Sequence, residues 1–250
     1  MIVQKIPIVR YNRGVTEYHD DPVIVEEWLE LYLNNTHLMG TPVINREIEE
    51  LVYGFLFMEG YLTPGERITI VKKPAGYFVD LPGDVDVRGV KELVDCAYSK
   101  IVFSEDINPL PPGESYSADF ILGLIRDFQK LPSIYHETGG VHMAAFAGGE
   151  GILFWADDIS RRNALDKVLG KMFLSERDCS GGLVLSSGRI SSDVVVRLIR
   201  AKIPVVVSIS APTVKAVELA ESYGITLCGF ARGRRMNVYT HAERIINRST

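Results

Sequence analysis

The sequence predicts an α/β protein: a C-terminal half built on a parallel or mixed sheet with helices on both faces, preceded by a smaller mixed α+β half. Three observations carry this. From residue 161 onward, continuous apolar strands such as "GLVLSS", "IPVVVSIS" and "ITLCGF" alternate with helical segments, the pattern of a parallel sheet covered on both sides. The first hundred residues instead mix an alternating strand with an amphipathic helix. Between the two, "NPLPPGES" (108–115) carries three prolines, which deny regular structure and mark a linker. The expected division is 1–107 and 108–250.

Taken in order, "IVQKIPIVRY" alternates like a strand. "NREIEELVYGFLFMEG" places Ile48, Leu51, Val52, Phe55 and Leu56 on one helical face, with Asn45 as the expected N-cap and Gly60 as the stop. "RITIV" and "YFVDL" flank Pro74-Ala75-Gly76 as a hairpin. After the linker, "SADFILGLIRDFQK" is a helix with Phe120, Ile121, Leu124, Ile125 and Phe128 on its apolar side. "TGGVHMAAFAGGEGILFWA" reads as a glycine-rich turn leading into two strands. "RRNALDKVLGKM", "SDVVVRLIRAK" and "PTVKAVELAESYG" are the helices between the later strands, the last ended by Gly224.

Composition narrows the function classes. At 46% hydrophobic and 24% charged, the chain can bury a sizeable core, and a net charge of −5 gives no reason to expect nucleic-acid binding. The three cysteines, 96, 179 and 228, lack metal-like pairing and argue against a disulfide scaffold or a zinc site. The N-terminal stretch lacks the apolar core of a signal peptide, and no apolar run approaches the ~20 residues that span a bilayer. A cytoplasmic protein without membrane attachment is expected.

In an open parallel sheet, ligands bind beyond the carboxyl ends of the strands. Three such ends carry polar residues: Gly188-Arg189, Ser210 to Thr213, and Ala231-Arg232-Gly233-Arg234-Arg235. Arginine forks and helix N-terminal amides both suit phosphate. "ADDISRRN" adds Asp157 and Asp158 ahead of a helix and Arg161 and Arg162 in its first turn, where the helix dipole disfavours cations. Each feature also has a plain structural reading: Ser210 and Thr213 as helix caps, Asp158 as an N-cap, His142 as a hydrogen-bonded strand-end residue, Cys228 as core. Cys96, in "LVDCAYSKIVF", reads either as a small core residue or as half of a C-x-x-C site whose second member is Ser99.

Together these segments resemble the FdhD family, the sulfur-transfer accessory proteins of formate dehydrogenase. The likeness runs from "DDPVIVEEWLELYLNN" and "EELVYGFLFMEGYLT" through "TGGVHMAA", "DDISRRNALDKVLGK", "SSGRISSD" and "PVVVSISAPTVKAVELAESYGITLCGFARGRRMNVYTH". The resemblance implies a cytidine-deaminase-like fold for the C-terminal half. It implies a carrier that accepts persulfide sulfur from a cysteine desulfurase and passes it to the molybdenum bis-guanine-dinucleotide cofactor, for which GDP or GMP serves as mimic. It also implies a homodimer. The zinc deaminase pattern, an H-x-E followed by P-C-x-x-C, is absent.

Carried over by position, the family's reactive C-G-x-C-G falls on Cys96-Ala97-Tyr98-Ser99-Lys100, so Cys96 is the expected sulfur carrier and the second thiol is missing. The family's cofactor loop falls on Phe230, Ala231, Arg232, Gly233, Arg234 and Arg235. Thr138, Gly139, Gly140, His142, Asp158, Arg161, Ser187, Arg189 and Ser210 complete the expected cofactor contacts; no metal ligand is expected. Where the family has D-[I/V]-G-R-H, this chain has Asp158-Ile159-Ser160-Arg161-Arg162, which keeps anion binding at that segment, and could tighten it, while removing a proton-transfer group. A carrier needs one thiolate, which Cys96 supplies. Ser99 cannot attack a persulfide, which motivates an alternative: a non-catalytic chaperone that binds the guanine nucleotide or the molybdenum cofactor.

Overall fold

Two ten-residue strands, β1 (Val3–Asn12) and β2 (Val15–Ile24), open the chain as an antiparallel ribbon with a register running from Val3↔Ile24 to Asn12↔Val15. This computed structural model describes residues 1–63, 65–83, 108–111, 113–175 and 181–246. Beyond the ribbon come β3 (Glu27–Leu33), β4 (Thr36–Val43), α1 (Ile48–Met58), β5 (Ile70–Lys73) and β6 (Gly76–Val79). The four strands form one sheet in the order β4-β3-β6-β5, and the β5–β6 hairpin turns at Pro74 and Ala75 as the sequence predicts.

α1 lays Leu51, Val52, Phe55 and Leu56 against Leu29, Leu31 and Leu33 of β3. Burying each such side chain contributes roughly 1.5–3 kcal/mol. Asn45 does not cap the helix. Glu47 precedes it with a left-handed φ of 57° and no side-chain cap, and the 44–46 segment is instead bonded to Asp157 and Asp158. Gly60 (φ 84°) ends α1 as expected, with the Tyr61 amide donating to the Leu56 carbonyl at 2.8 Å.

The C-terminal elements are β7 (Tyr116–Ser117), α2 (Ala118–Phe128), α3 (Tyr135–Thr138), β8 (His142–Gly148), β9 (Gly151–Asp158), α4 (Arg161–Ser175), β10 (Leu183–Ser186), α5 (Ser192–Arg200), β11 (Val205–Ser208), α6 (Val214–Ser222), β12 (Thr226–Arg232), β13 (Arg235–Val238) and β14 (Ile245–Ile246). Six strands form a mixed sheet in the order β13-β12-β11-β10-β8-β9. β10, β11 and β12 are mutually parallel; β8, β9 and β13 run antiparallel to their neighbours. β14 pairs with β7 in a separate two-stranded sheet.

Strand alternation divides the core. Val184, Val206 and Leu227 face α4, α5 and α6 on one side. Leu185, Val207 and Cys228 face Ile121, Leu124 and Phe128 of α2 on the other. Ser117 caps α2 by accepting from the Phe120 amide at 3.1 Å, and Thr213 caps α6 by accepting from the Ala216 amide at 3.3 Å. α4 is buried on both sides, since α1 packs on its outer face and β8 and β9 on its inner face. The order through the molecule is therefore small sheet, α1, α4, large sheet, α2.

Candidate functional site

The large sheet gathers the polar residues at one rim. β10 and β11 end there, and antiparallel pairing brings the start of β8 to the same edge: the Ser187 amide donates to the Met143 carbonyl at 2.9 Å, and the Met143 amide donates to Ser187 Oγ at 2.8 Å. His142, the first residue of β8, pairs with Asp158 at the end of β9, immediately before α4. β12 lies three strands from β8, or about 14 Å at the usual strand spacing.

A cleft of about 350 Å³ opens at this rim, lined by Tyr135, Gly139, Gly140, His142, Ser187 and the apolar pair Ile159 and Ile209, among others. Thr138 shapes its glycine turn, donating from Oγ1 to the Ile134 carbonyl at 2.9 Å and accepting from the Gly140 amide at 3.2 Å. Gly139 takes φ 64° to end the short α3. Gly188 is a close-approach glycine: a Cβ there would sit 3.1 Å from Arg161 Cβ and 3.3 Å from His142 Nδ1. Its absence lets Arg161 and His142 close over the same loop. Arg161 also reaches Ser191 Oγ at 3.5 Å.

The electrostatics follow. Burial first, and then the positive charges of Arg161 and Arg189, hold the His142 imidazole below its usual range. A half-buried neutral histidine with two arginines close by gives this part of the rim a cationic character. Arg189 is exposed and makes no ion pair among the described residues. Ser210 ties the neighbouring strands, its carbonyl accepting from the Phe230 amide at 2.9 Å. Phe230 has a φ of 52°, unusual for a residue with a side chain, and stands at an irregularity in the β12–β13 register between Gly229 and Arg232.

The Phe230–Arg235 segment is not a free loop. β12 runs on through the buried Ala231 to Arg232, a two-residue turn follows at Gly233 (φ 60°) and Arg234, and Arg235 begins β13 opposite Arg232. The turn chemistry of a Gly flanked by two apolar-alternating runs is present in "FARGRRMNV", but the arginines mask the returning strand. Arg232, Arg234 and Arg235 are exposed on this hairpin with no ion pair among the described residues.

Two expectations are corrected. Asp158 does not contact the rim. It is fully buried, accepting from the Asn163 amide group at 3.1 Å, the Ser160 amide at 3.2 Å and the Ile44 amide at 3.3 Å, and it lies 2.7 Å from Lys167 Nζ. A carboxylate with a buried lysine partner serves the interior. Arg162 also turns inward, pairing with Glu59 at 3.0 Å and lying over the Phe55 ring, because one residue along a helix rotates a side chain by about 100°. Its replacement of a histidine therefore adds no cation to the cleft. Asp157 is buried too, and accepts from Arg46, from Ser133 Oγ at 2.6 Å and from the Ile134 amide at 3.2 Å, which fixes the start of α3. Tyr135, Ile159 and Ile209 also line the cleft, and in the sequence only their adjacency to the polar strand-end residues points to them.

Cys96, Ser99 and Cys179 lie outside the described residues. Cys228 is core, and burial pushes its thiol up to about 12. Among the described residues, no group of three or more His, Cys, Asp or Glu is placed to hold a metal ion, and no helix is long and apolar enough to cross a membrane.

Comparison with known proteins matches this arrangement to one family. The profile of the FdhD/NarQ family covers residues 24–246. The chain is 34% identical over 248 residues to the sulfur carrier protein FdhD of Bacillus subtilis, covering 94% of this chain and 95% of that one. It is 34% identical over 255 residues to the protein of the same name from Sulfolobus acidocaldarius, covering 98% and 99%. The fold superposes on a crystal structure from Desulfotalea psychrophila, described as that of a formate dehydrogenase accessory protein, with a TM-score of 0.79 and 25% identity over 98% of this chain and 100% of that one. With a family profile and relatives of this identity spanning nearly its whole length, the chain belongs to the FdhD/NarQ family.

Proposed function

We propose that this protein is a sulfur carrier serving formate dehydrogenase. In this reading it accepts sulfur from a cysteine desulfurase onto Cys96 and delivers it to a molybdenum bis-guanine-dinucleotide cofactor held at the sheet rim. The observation that carries the reading is a cleft beyond the parallel strands lined by His142, whose imidazole is held neutral by burial and by the nearby positive charges of Arg161 and Arg189. Its size suits one nucleotide-sized end of such a cofactor rather than the whole. Arg232, Arg234 and Arg235, exposed farther along the same sheet edge, supply further cations for phosphate. Asp158 acts here only through α4, whose position it sets.

Loading is a transthiolation. The Cys96 thiolate attacks the outer sulfur of the desulfurase persulfide; a new S–S bond forms at Cys96, the donor's S–S bond breaks, and the donor cysteine leaves as thiolate. No oxidant is needed. Delivery as sulfide consumes two electrons, which a thiol reductant supplies, since Ser99 cannot act as a second thiol. Two copies work together as a homodimer in the cytoplasm.

The test is intact-mass spectrometry after incubation with a desulfurase and cysteine. The wild type gains the mass of one sulfur atom and Cys96→Ser gains none, while both bind GDP in calorimetry. An unmodified wild type overturns the carrier role. Ser99 favours a second reading, a cofactor-binding chaperone without sulfur transfer; it requires Cys96→Ser to restore formate dehydrogenase activity in cells as fully as the wild type.

A further inference from the structure

One wall of the cleft is held differently from the rest of the rim. Tyr135, Gly139 and Gly140 line the cleft, yet no residue from Ile134 to Gly140 is buried. α3 is four residues long, and a helix shorter than about 12 residues is marginal in water unless packing holds it. Its own bonds are local: the Thr138 amide donates to the Ile134 carbonyl at 2.9 Å and the Gly139 amide to the Tyr135 carbonyl at 2.8 Å. Bonds of this kind shape the turn without placing it on the body of the protein.

Placement comes from one carboxylate. Among the described residues, the hydrogen bonds that tie 133–140 to a distant part of the chain both end on Asp157 Oδ2. Ser133 Oγ donates to it at 2.6 Å and the Ile134 amide at 3.2 Å. Ser133 Oγ in turn accepts from the Tyr135 amide at 3.0 Å, so the wall hangs from Asp157 at its first three residues. The other carboxylate oxygen, Oδ1, accepts from Arg46. Asp157 is fully buried, and a buried charge is costly unless it is paired. Arg46 supplies the pairing from the connection between β4 and α1, in the N-terminal half of the chain. It does not itself line the cleft.

We infer that Arg46, acting through Asp157 and Ser133, is a positioning residue for nucleotide binding at the cleft. The N-terminal half thereby sets the wall that the C-terminal sheet presents to the ligand. With Arg46 in place the carboxylate stays charged, and hydrogen bonds to a charged acceptor are roughly twice as strong as neutral ones. Without it, Asp157 keeps only neutral donors in a buried site and the bonds to Ser133 and Ile134 weaken. α3 then has to be ordered at the moment of binding, which lowers affinity. A purely structural role predicts something else: a lower melting temperature and faster exchange throughout the molecule, with the folded protein binding as before. This inference rests on the cofactor reading above and deepens it.

Calorimetry with GDP, thermal unfolding and amide hydrogen exchange test it together. Arg46 is one-third exposed, so its replacement is expected to leave the fold intact. Arg46→Met is expected to weaken GDP binding about tenfold and to speed exchange at residues 134–140 while the amides of β10 and β11 keep their protection. Arg46→Lys keeps a cation beside Asp157 and is expected to bind within about threefold of wild type. Should Arg46→Met unfold, Ser133→Ala decides, since it removes the link between Asp157 and the Tyr135 amide from the other side and is expected to weaken binding in the same way. Wild-type affinity in Arg46→Met or Ser133→Ala overturns the inference alone, as does exchange that rises equally in α3 and the large sheet. Failure of Arg46→Lys to restore binding also overturns it. A wild type that does not bind GDP overturns the cofactor reading and the inference with it.

Discussion

Gly54 of α1 and Gly170 of α4 meet at the point where the two helices cross: a Cβ on Gly54 would lie 2.9 Å from the Gly170 amide nitrogen and far inside van der Waals contact distance of the Asp166 carbonyl oxygen. Gly170 stands in the same relation to the Glu50 carbonyl. The helices touch backbone to backbone, and this contact joins the N-terminal sheet and its helix to the sheet that carries the site.

Gly54→Ala and Gly170→Ala are therefore expected to destabilise the protein. In an isolated helix alanine gains about 1 kcal/mol over glycine. Here that gain is overridden by forcing α1 and α4 apart, at a cost of about 3 kcal/mol. Thermal unfolding of each variant against wild type checks this; a raised melting temperature would show that the helices separate freely.

Arg197 is fully buried on α5 and reaches Asp166 of α4 through Nε at 2.6 Å and Nη2 at 3.2 Å, with Glu59 at 3.4 Å. Asp166→Ala removes the bidentate partner of this guanidinium, leaving the longer Glu59 contact and the field of Asp193, and should cost about 3–5 kcal/mol in denaturant unfolding. Arg197→Met combined with Asp166→Leu removes both charges and is expected to cost far less than Asp166→Ala alone.

Asp158 and Arg189 should separate cleanly in a paired measurement. Asp158→Ala leaves Lys167 buried without its carboxylate and is expected to lower stability by about 3–5 kcal/mol. Arg189→Ala, exposed at the rim, should leave the melting temperature unchanged and weaken GDP binding about tenfold or more, with a shallower salt dependence. Equal losses of stability in both variants would contradict the assignment of interior and rim.

His142 should titrate below 6.5 in NMR, and Arg161→Ala or Arg189→Ala should move it back up. The unfolded chain takes up a proton near 6.5 and the folded chain only at lower pH, so between those values the unfolded state holds more protons. Stability is then present above 6.5 and is lost as pH falls from there to the folded pKa.

Cys228 should resist alkylation in the native state, since its thiol ionises only near 12 and lies in the sheet core. Peptide mapping before and after denaturation reads this directly: modification of Cys228 appears only in the unfolded protein.

The elements were legible where local periodicity was strong. α2 and α6 carry their own caps and apolar stripes, and β10 to β12 are short apolar runs between helices, so pattern alone located them. α4 was legible as a helix but not as a central one, because a helix buried on two sides has no polar stripe to display. The rim was legible in outline, since strand ends carry ligands in such sheets and the arginines stand after strands. Individual orientation was not. Asp157 and Asp158 are adjacent acids in sequence; strand alternation sends one to Arg46 and Ser133 and the other to Lys167.

The sequence by itself determined the α/β class, the family and the set of strand-end segments from which a site could be assembled, because hydrophobic period and motif order are local properties. Only the tertiary structure decided that Arg161 lies against the Gly188 loop while Arg162 faces Glu59, that the arginine segment turns back as a hairpin, and that His142 is held neutral near two arginines. Those outcomes depend on which chain segments pack together, and on the desolvation that packing imposes, neither of which is encoded at any single position.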